Sequence, residues 1–345
     1  MKQKVKVFIG RMQPFHNAHK KIIDDALNTS DKVILLVGSY REPLSARNPW
    51  NAHERAEMIQ ECYKDNDRLI LLPMRDYKYN DNHWITSVQN IVSNNSSYND
   101  NDIYLVGHFK DDSSYYLNFF GGWHLETVPN YWGLNSTDIR YDFFLNNKLD
   151  KNKIPKEVYD YLISWKEQNE ERFNNVKEEL QYIINYKKQW ESCPYPPVFN
   201  TTDAVVVKSG HILLIKRGIN PGKGKFALPG GFLGINDTHF KSCLRELKEE
   251  TKIDVPHGVL YHSCDDKEGK KFDHPRRDPR GRVVTTAYFF DLTEKKSSLR
   301  PLPKVKGSDD AAEAIWMPFN DVFHNEENFF SDHIHIIQHY ISIGR

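Results

Sequence analysis

Five short strand-forming runs, VKVFI at 5–9, KVILLV at 32–37, LILLP at 69–73, IYLV at 103–106 and HLETV at 124–128, alternate with helical patterns near 17–28, 52–65, 83–94 and 112–120. That alternation constrains the fold more than any other feature. Runs of β-branched and aliphatic residues between helices predict βαβ units around a buried parallel sheet. Ligands of such sheets bind beyond the carboxyl ends of the strands. The segment GRMQPFHNAH, 10–19, leaves the first strand at that edge.

The pattern changes after residue 150. From Pro155 to Trp190 the chain is charged and helical, with apolar stripes at Val158, Leu162 and Trp165 and at Val176, Leu180, Ile183 and Ile184. The polar stretch 166–175 marks a break between them. ESCPYPPVFNTT follows, and its prolines read as a linker. Beyond it, DAVVVKSGHILLIKR (203–217) predicts a hairpin turning at Ser209-Gly210, with a helix over 238–251, strands at 283–292 and 314–318, and a closing helix near 328–341. The expected domains are 1–185, a linker at 186–200, and 201–345.

Lys+Arg and Asp+Glu both number 47, so no global field draws the chain to nucleic acid or an acidic membrane. Cys62, Cys193, Cys243 and Cys264 form no CxxC pair, which argues against a zinc site or a disulfide scaffold. The opening residues run into a strand without the apolar core of a signal peptide, and the longest apolar runs are too short to span a bilayer. A cytoplasmic location is the expectation. The stripes at 155–190 suit interdomain docking or subunit contacts equally, which leaves a homo-oligomer open.

Two segments carry chemistry. In GFLGINDTHFKSCLRELKEETKI (231–253), helical spacing puts Glu246, Glu249 and Glu250 on one face beside Arg245. Crowded carboxylates repel one another, and a hard divalent cation, Mg²⁺ or Mn²⁺, relieves that repulsion. The LPGG turn at 228–231 offers a carbonyl, Gly230, to the same ion. The segment resembles the Nudix box, Gx5Ex7REUxEExGU, from Gly231 through Arg245, Glu246, Leu247, Glu249 and Glu250 to Ile253. It departs from the box at Asp237, where the family has Glu, and at Lys252, where it has Gly. The resemblance implies metal-dependent hydrolysis of a nucleoside diphosphate derivative, with Arg245, Glu246, Glu249 and Glu250 catalytic. KFDHPRRDPRGRVVTTAYFF (271–290) resembles the matching region of ADP-ribose pyrophosphatases, which makes Arg280 and Arg282 candidate ADP-ribose contacts.

In the first segment His16 and His19 are three residues apart at a helix start, where free N–H groups and the helix dipole favour an anion. GRMQPFHNAH resembles the GRFQPFHxGH signature of nucleotidylyltransferases, with Ala18 in place of glycine. GLNSTDIRYDFF (133–144) resembles their second signature, ISSTxIR, and REPLSARNPWNAHERAEMI (41–59) also fits. Within that class the chain is similar to nicotinamide mononucleotide adenylyltransferases of the archaeal-like type. The resemblance implies His16 and His19 at the reacting α-phosphate. It makes Gly10, Arg11, Arg47, Ser136, Thr137 and Arg140 ATP or phosphate contacts, with Mg²⁺ carried in on ATP. Asn82 and Trp84 of YNDNHW (79–84) would hold the pyridine ring.

Together the halves resemble a bifunctional pairing. The expected fold is α/β: an N-terminal Rossmann-like nucleotidylyltransferase domain with a parallel sheet, followed by a C-terminal α+β Nudix domain. The expected ligands are ATP, nicotinamide mononucleotide, NAD and ADP-ribose. The rival reading keeps the transferase and makes the second half a ligand sensor, or a hydrolase of another nucleoside diphosphate derivative. Three histidines in HIHIIQHYI (333–341) suit a solvated helix face better than a metal site.

Overall fold

The computed structural model describes residues 3–96, 101–108, 116–293 and 301–341. The chain divides into two compact units, Met1–Glu178 and Glu179–Arg345.

In the first unit the strands β1 (Gln3–Gly10), β2 (Lys32–Val37), β3 (Leu69–Pro73), β4 (Asn101–Gly107) and β5 (His124–Thr127) form one sheet in the order β3-β2-β1-β4-β5. Every pairing is parallel. Alternate residues of the central strands, Val5 and Val7, Ile34 and Leu36, Ile103 and Leu105, pack with Val88 and Val92 in one buried cluster. On the opposite face of β1, Lys6 is almost fully buried and pairs with Glu126 at 2.5 Å and with Thr29 at 2.6 Å. A charge tolerates that position only because both partners are present.

The helices are α1 (Asn17–Asn28), α2 (Ala52–Cys62), α3 (Asp81–Asn95), α4 (Ser136–Asn146), α5 (Lys156–Gln168) and α6 (Glu170–Lys188). Side chains set their starts: His16 caps α1, Asn51 and Glu54 form a capping box on α2, Asn80 caps α3 and Asn135 caps α4. The expected helix at 112–120 lies partly outside the described residues. The break expected within 166–175 falls at Asn169, which separates α5 from α6. The division between units lies inside α6, ahead of the linker expected at 186–200. Residues 189–197, with Pro194, Pro196 and Pro197, are irregular.

The second unit is built on a mixed sheet of β6 (Val198–Lys208), β7 (His211–Arg217), β8 (Phe226–Ala227), β9 (Gly230–Phe232), β10 (Lys270–Phe272), β11 (Arg282–Asp291) and β12 (Ala311–Pro318). Its order is β10-β11-β6-β7-β12, with β8 against β7 and β9 against β6. β6 and β7 turn at Ser209 and Gly210, both with positive φ (47° and 77°), as a two-residue hairpin requires. Two apolar layers sandwich the sheet. Ala204 and Val206 face α7 (His239–Thr251), while Val205 and Val207 face the side of α10 (His333–Ile341). Between them α8 (His257–His262) and α9 (Phe319–His324) complete the helices. Thr238 caps α7, and Lys252 ends it in the left-handed region (φ 43°), where the box has glycine. Among the described residues no helix is long and apolar enough to cross a membrane.

Candidate active sites

Gly10 and Val37 end adjacent parallel strands in register, and Gly38 N–H donates to Gly10 O at 2.9 Å. At Gly10 a Cβ would lie 2.6 Å from Met12 Cε, so a side chain there would have to push the buried end of Met12 aside. His16 is buried and caps α1 through Nδ1, which accepts from His19 N–H at 3.4 Å. The two imidazoles stack with centroids 3.6 Å apart and planes at 17°. The methyl of Ala18 is buried within α1.

The second signature folds directly onto the first. Ser136 Oγ donates to Pro14 O at 3.1 Å; Arg140 donates to Gln13 O at 2.5 Å and to Thr137 Oγ1 at 3.2 Å. Arg140 is buried, and its Nε has no hydrogen-bond partner among the described residues. Burial, with the charge of Arg11 added, pushes its pKa down to about 9, so it stays a cation at neutral pH. Arg11 reaches Asn48 Oδ1 at 3.5 Å, beside Arg47. A buried cation depressed by a second cation is an environment that an anion would relieve. Gly10, Arg11, His16, His19, Ser136, Thr137 and Arg140 therefore share one edge of the sheet, with the 47–48 segment against it.

Asn82 and Trp84 lie on the first turn of α3, after the carboxyl end of β3. Asn82 is exposed. Trp84 is half-buried, edge-on to Tyr116 (5.5 Å) and tilted against Phe120 (6.0 Å), so packing occupies part of the ring expected to stack on a ligand. Two positioning residues escaped the motif reading. Gln13 exchanges two hydrogen bonds with the Trp50 backbone, at 2.7 and 3.2 Å. Arg55, 1% exposed, donates to Arg11 O, Gly38 O and Ser39 O at 2.7, 2.5 and 3.1 Å, stitching the two sheet-edge loops together.

In the second unit Arg245 gathers three acids: Glu249 at 2.7 Å, Glu246 at 2.8 Å and Asp237 at 3.2 Å. The shorter Asp237 therefore keeps its ion pair. Burial works against the Arg245 charge, but Glu249, Glu246 and Asp237 together raise its pKa above the ordinary value. Glu250 Oε2 accepts from Gly230 N–H at 2.8 Å. Burial, opposed by that N–H and assisted by Glu246, pushes the Glu250 carboxyl up to about 8; burial also raises Glu246 against the pull of Arg245. A Cβ on Gly231 would lie 2.6 Å from Glu246 Cδ, which fixes glycine there.

Among the described residues no three His, Cys, Asp or Glu are already gathered as a ligand group; Arg245 holds Glu246 and Glu249, and Gly230 N–H holds Glu250. Of the HIHIIQHYI histidines expected on a solvated face, His339 is exposed, but His333 is buried, where its ring accepts from Leu228 N–H. The donor chemistry on α7 nevertheless fits a hard divalent cation. It offers only oxygen, and burial holds two of its carboxyls toward the neutral form, a cost that a cation would reverse.

Arg280 differs from expectation. It is paired bidentately with Asp278 at 3.0 and 2.8 Å and lies over the rings of Phe232 (5.1 Å) and Tyr186 (5.7 Å). Its charge is already matched by an acid. Arg282 donates to the Asp273 carbonyl. A cation without a motif is Arg217, at the end of β7. Burial and the charge of Arg280 lower its pKa, while Glu250 and Asp278 favour its charge. A lone arginine closing a strand carries no pattern in the sequence.

Two family models match the chain: Cytidylyltransferase-like over residues 7–140 and NUDIX domain over 199–340. The first half is similar to a nicotinamide/nicotinic acid mononucleotide adenylyltransferase of Acinetobacter baylyi, at 35% identity over 45% of this chain and 83% of the relative. The second half is similar to an ADP-ribose pyrophosphatase of Methanocaldococcus jannaschii, at 35% identity over 40% of this chain and 70% of the relative. A solved bifunctional NMN adenylyltransferase/ADP ribose pyrophosphatase of Francisella tularensis, complexed with AMP and Mn ion, is 32% identical and covers 99% of both chains with a TM-score of 0.90.

Proposed function

The chain belongs to the family of bifunctional NMN adenylyltransferase/ADP-ribose pyrophosphatases, and on that premise we propose a division of labour between its two units. The first transfers AMP from ATP to nicotinamide mononucleotide, giving NAD and pyrophosphate. The second hydrolyses ADP-ribose to AMP and ribose 5-phosphate. Their metal is Mg²⁺, with Mn²⁺ able to replace it, and their setting is the cytoplasm.

The transfer needs no general base, because the attacking phosphate oxygen is already ionised. That oxygen bonds to the α-phosphorus as the bond to the β-phosphate oxygen breaks and pyrophosphate leaves. Catalysis is positioning plus charge neutralisation. His16 and His19, stacked at the start of α1, face the reacting phosphate. Arg140 contributes a buried cation lacking full compensation, with Arg11 and Arg47 beside it. Ser136 and Arg140 bind the Gln13-Pro14 carbonyls, holding the two signatures together while the ligand exchanges. Asn82 and Trp84 remain the candidates for the pyridine end.

In the second unit Glu246, Glu249 and Glu250, with the Gly230 carbonyl, would hold the divalent cation. When bound, it offsets diphosphate charge and acidifies a coordinated water. Gly230 N–H fixes one oxygen of Glu250, and Arg245 fixes the directions of Glu246 and Glu249. Arg217 supplies positive potential beside Glu250, while Arg280, held by Asp278, stays a candidate contact for ADP-ribose. Arg282 is the remaining candidate contact for ADP-ribose.

The observation that carries this reading is the meeting of the two transferase signatures around Arg140 in a chain that also keeps every carboxylate of its Nudix helix. The test incubates the whole protein with Mg²⁺ and ADP-ribose beside a Glu249→Gln/Glu250→Gln variant, and separately with ATP and nicotinamide mononucleotide. AMP from the wild type alone, and NAD from both proteins, are expected. ADP-ribose left intact by the wild type would overturn the hydrolase assignment, and absence of NAD would overturn the transferase assignment.

A further inference from the structure

Helices α5 and α6 carry no catalytic motif, yet α5 packs on α2 and a residue of α6 reaches the transferase site's supporting loop. We propose that Arg172 of α6 is a positioning residue for adenylyl transfer, acting on the segment 47–55 that carries Arg47. The proposal rests on the transferase reading above.

Arg172 forks onto one carboxylate, with Nη1 2.8 Å from Glu54 Oε1 and Nη2 2.9 Å from Glu54 Oε2, and it also donates to the Pro49 carbonyl. Trp165 Nε1 donates to the same Glu54 Oε1 at 2.6 Å. Glu54 is at the same time the acid of the α2 capping box, accepting from Asn51 N–H at 2.7 Å. A single carboxylate thus receives the helical extension on one side and the start of α2 on the other. Planar bidentate pairing fixes direction as well as distance.

Two short routes lead from there to the phosphate-binding motif. Pro49 precedes Trp50, whose backbone exchanges hydrogen bonds with Gln13, and Gln13 O in turn receives Arg140. Glu54 precedes Arg55, which bonds Arg11 O and Gly38 O. Beneath both routes, Trp50 packs on Trp165 at 5.7 Å and on Phe144 at 5.5 Å, and Phe173 packs on Phe144 at 5.0 Å. Arg47 and Asn48 immediately precede the Pro49 anchor, on a segment that has no regular secondary structure of its own. Removing the anchor leaves the aromatic layer in place and frees the loop. Glu54 is only 12% exposed, so removing Arg172 costs stability as well as placement, and the lysine variant with the second readout separates the two.

The test compares wild type, Arg172→Ala and Arg172→Lys in NAD formation over a range of ATP concentrations, with ADP-ribose hydrolysis by the same preparations as a second readout. Loss of placement in Arg172→Ala should lower kcat/KM for ATP by about 10-fold or more, mostly through KM. Arg172→Lys keeps the charge but not the fork and should recover part of it. ADP-ribose hydrolysis should not change. An unchanged kcat/KM for ATP would overturn the proposal. So would a fall confined to kcat with parallel loss of ADP-ribose hydrolysis, which would mark Arg172 as a folding residue. A wild type that makes no NAD would overturn the transferase reading and this proposal together, an outcome distinct from the first two.

Discussion

The substitution Arg140→Met removes a buried cation that the fold holds at about 9, well below the ordinary guanidinium value, through burial first and the neighbouring Arg11 charge second. A pKa lowered in the folded state means that the unfolded chain binds the proton more tightly, so the cost is fully present at every pH below 9 and fades as pH rises toward the ordinary guanidinium value. Across that span it amounts to about 5 kcal/mol at neutral pH. Against it stands the Gln13 carbonyl, which loses a 2.5 Å bond in the variant. A buried acceptor left unmade costs about 1–3 kcal/mol. With the Thr137 hydroxyl losing its 3.2 Å bond as well, at about 1 kcal/mol, the balance favours the variant by about 2 kcal/mol, which for a domain of this size raises Tm by about 4–8 °C. Adenylyl transfer should be lost at the same time, because the group proposed to meet the phosphates is gone. Thermal melting with and without pyrophosphate checks this directly: the variant should melt higher than wild type in buffer alone and gain less from the anion. A ligand-free Arg140→Met that melts below the wild type would refute the reasoning, since it would mean that the guanidinium is already compensated.

Three further outcomes follow from particular residues. His333 is buried and accepts from Leu228 N–H at 2.9 Å, and burial pushes its pKa below 6.5 despite Asp203 and Asp332. Its contribution to stability is therefore intact above about 6.5 and lost as pH falls below it; His333→Gln should flatten that acid-side slope in melts between pH 7.5 and 5.5. Lys252→Gly at the left-handed end of α7 should stabilise the second unit by about 1 kcal/mol in denaturant titration, with ADP-ribose hydrolysis unchanged. Mn²⁺ or Mg²⁺ at about 100 times its Kd should stabilise the second unit by about 2.7 kcal/mol, and Glu249→Gln/Glu250→Gln should abolish that gain.

Sequence by itself determined what depends on local pattern. Five strand-forming runs and the helices between them specify a parallel sheet, since such strands must be covered on both faces. Ser209-Gly210 specifies a tight hairpin, and Arg245, Glu246, Glu249 and Glu250 share a helix face because 3.6-residue periodicity leaves no alternative. The signatures around His16, His19 and Arg140 were legible for the same reason: each is a contiguous stretch whose spacing carries the chemistry.

Tertiary structure decided what depends on distant partners. Strand order β3-β2-β1-β4-β5 follows from packing rather than from chain order. Arg280 as a bare residue could meet a phosphate; folded, it is taken by Asp278, and Trp84 is partly taken by Tyr116 and Phe120. Arg172 lies outside every motif, and the motifs that contain Gln13 and Arg55 do not reveal their partners: Gln13 meets a backbone 37 residues away and Arg172 a carboxylate 118 residues away. A hydrogen bond between ordinary residue types leaves no periodic trace in a chain. It exists only where the fold brings donor and acceptor to within about 3 Å and excludes the water that would otherwise take their place.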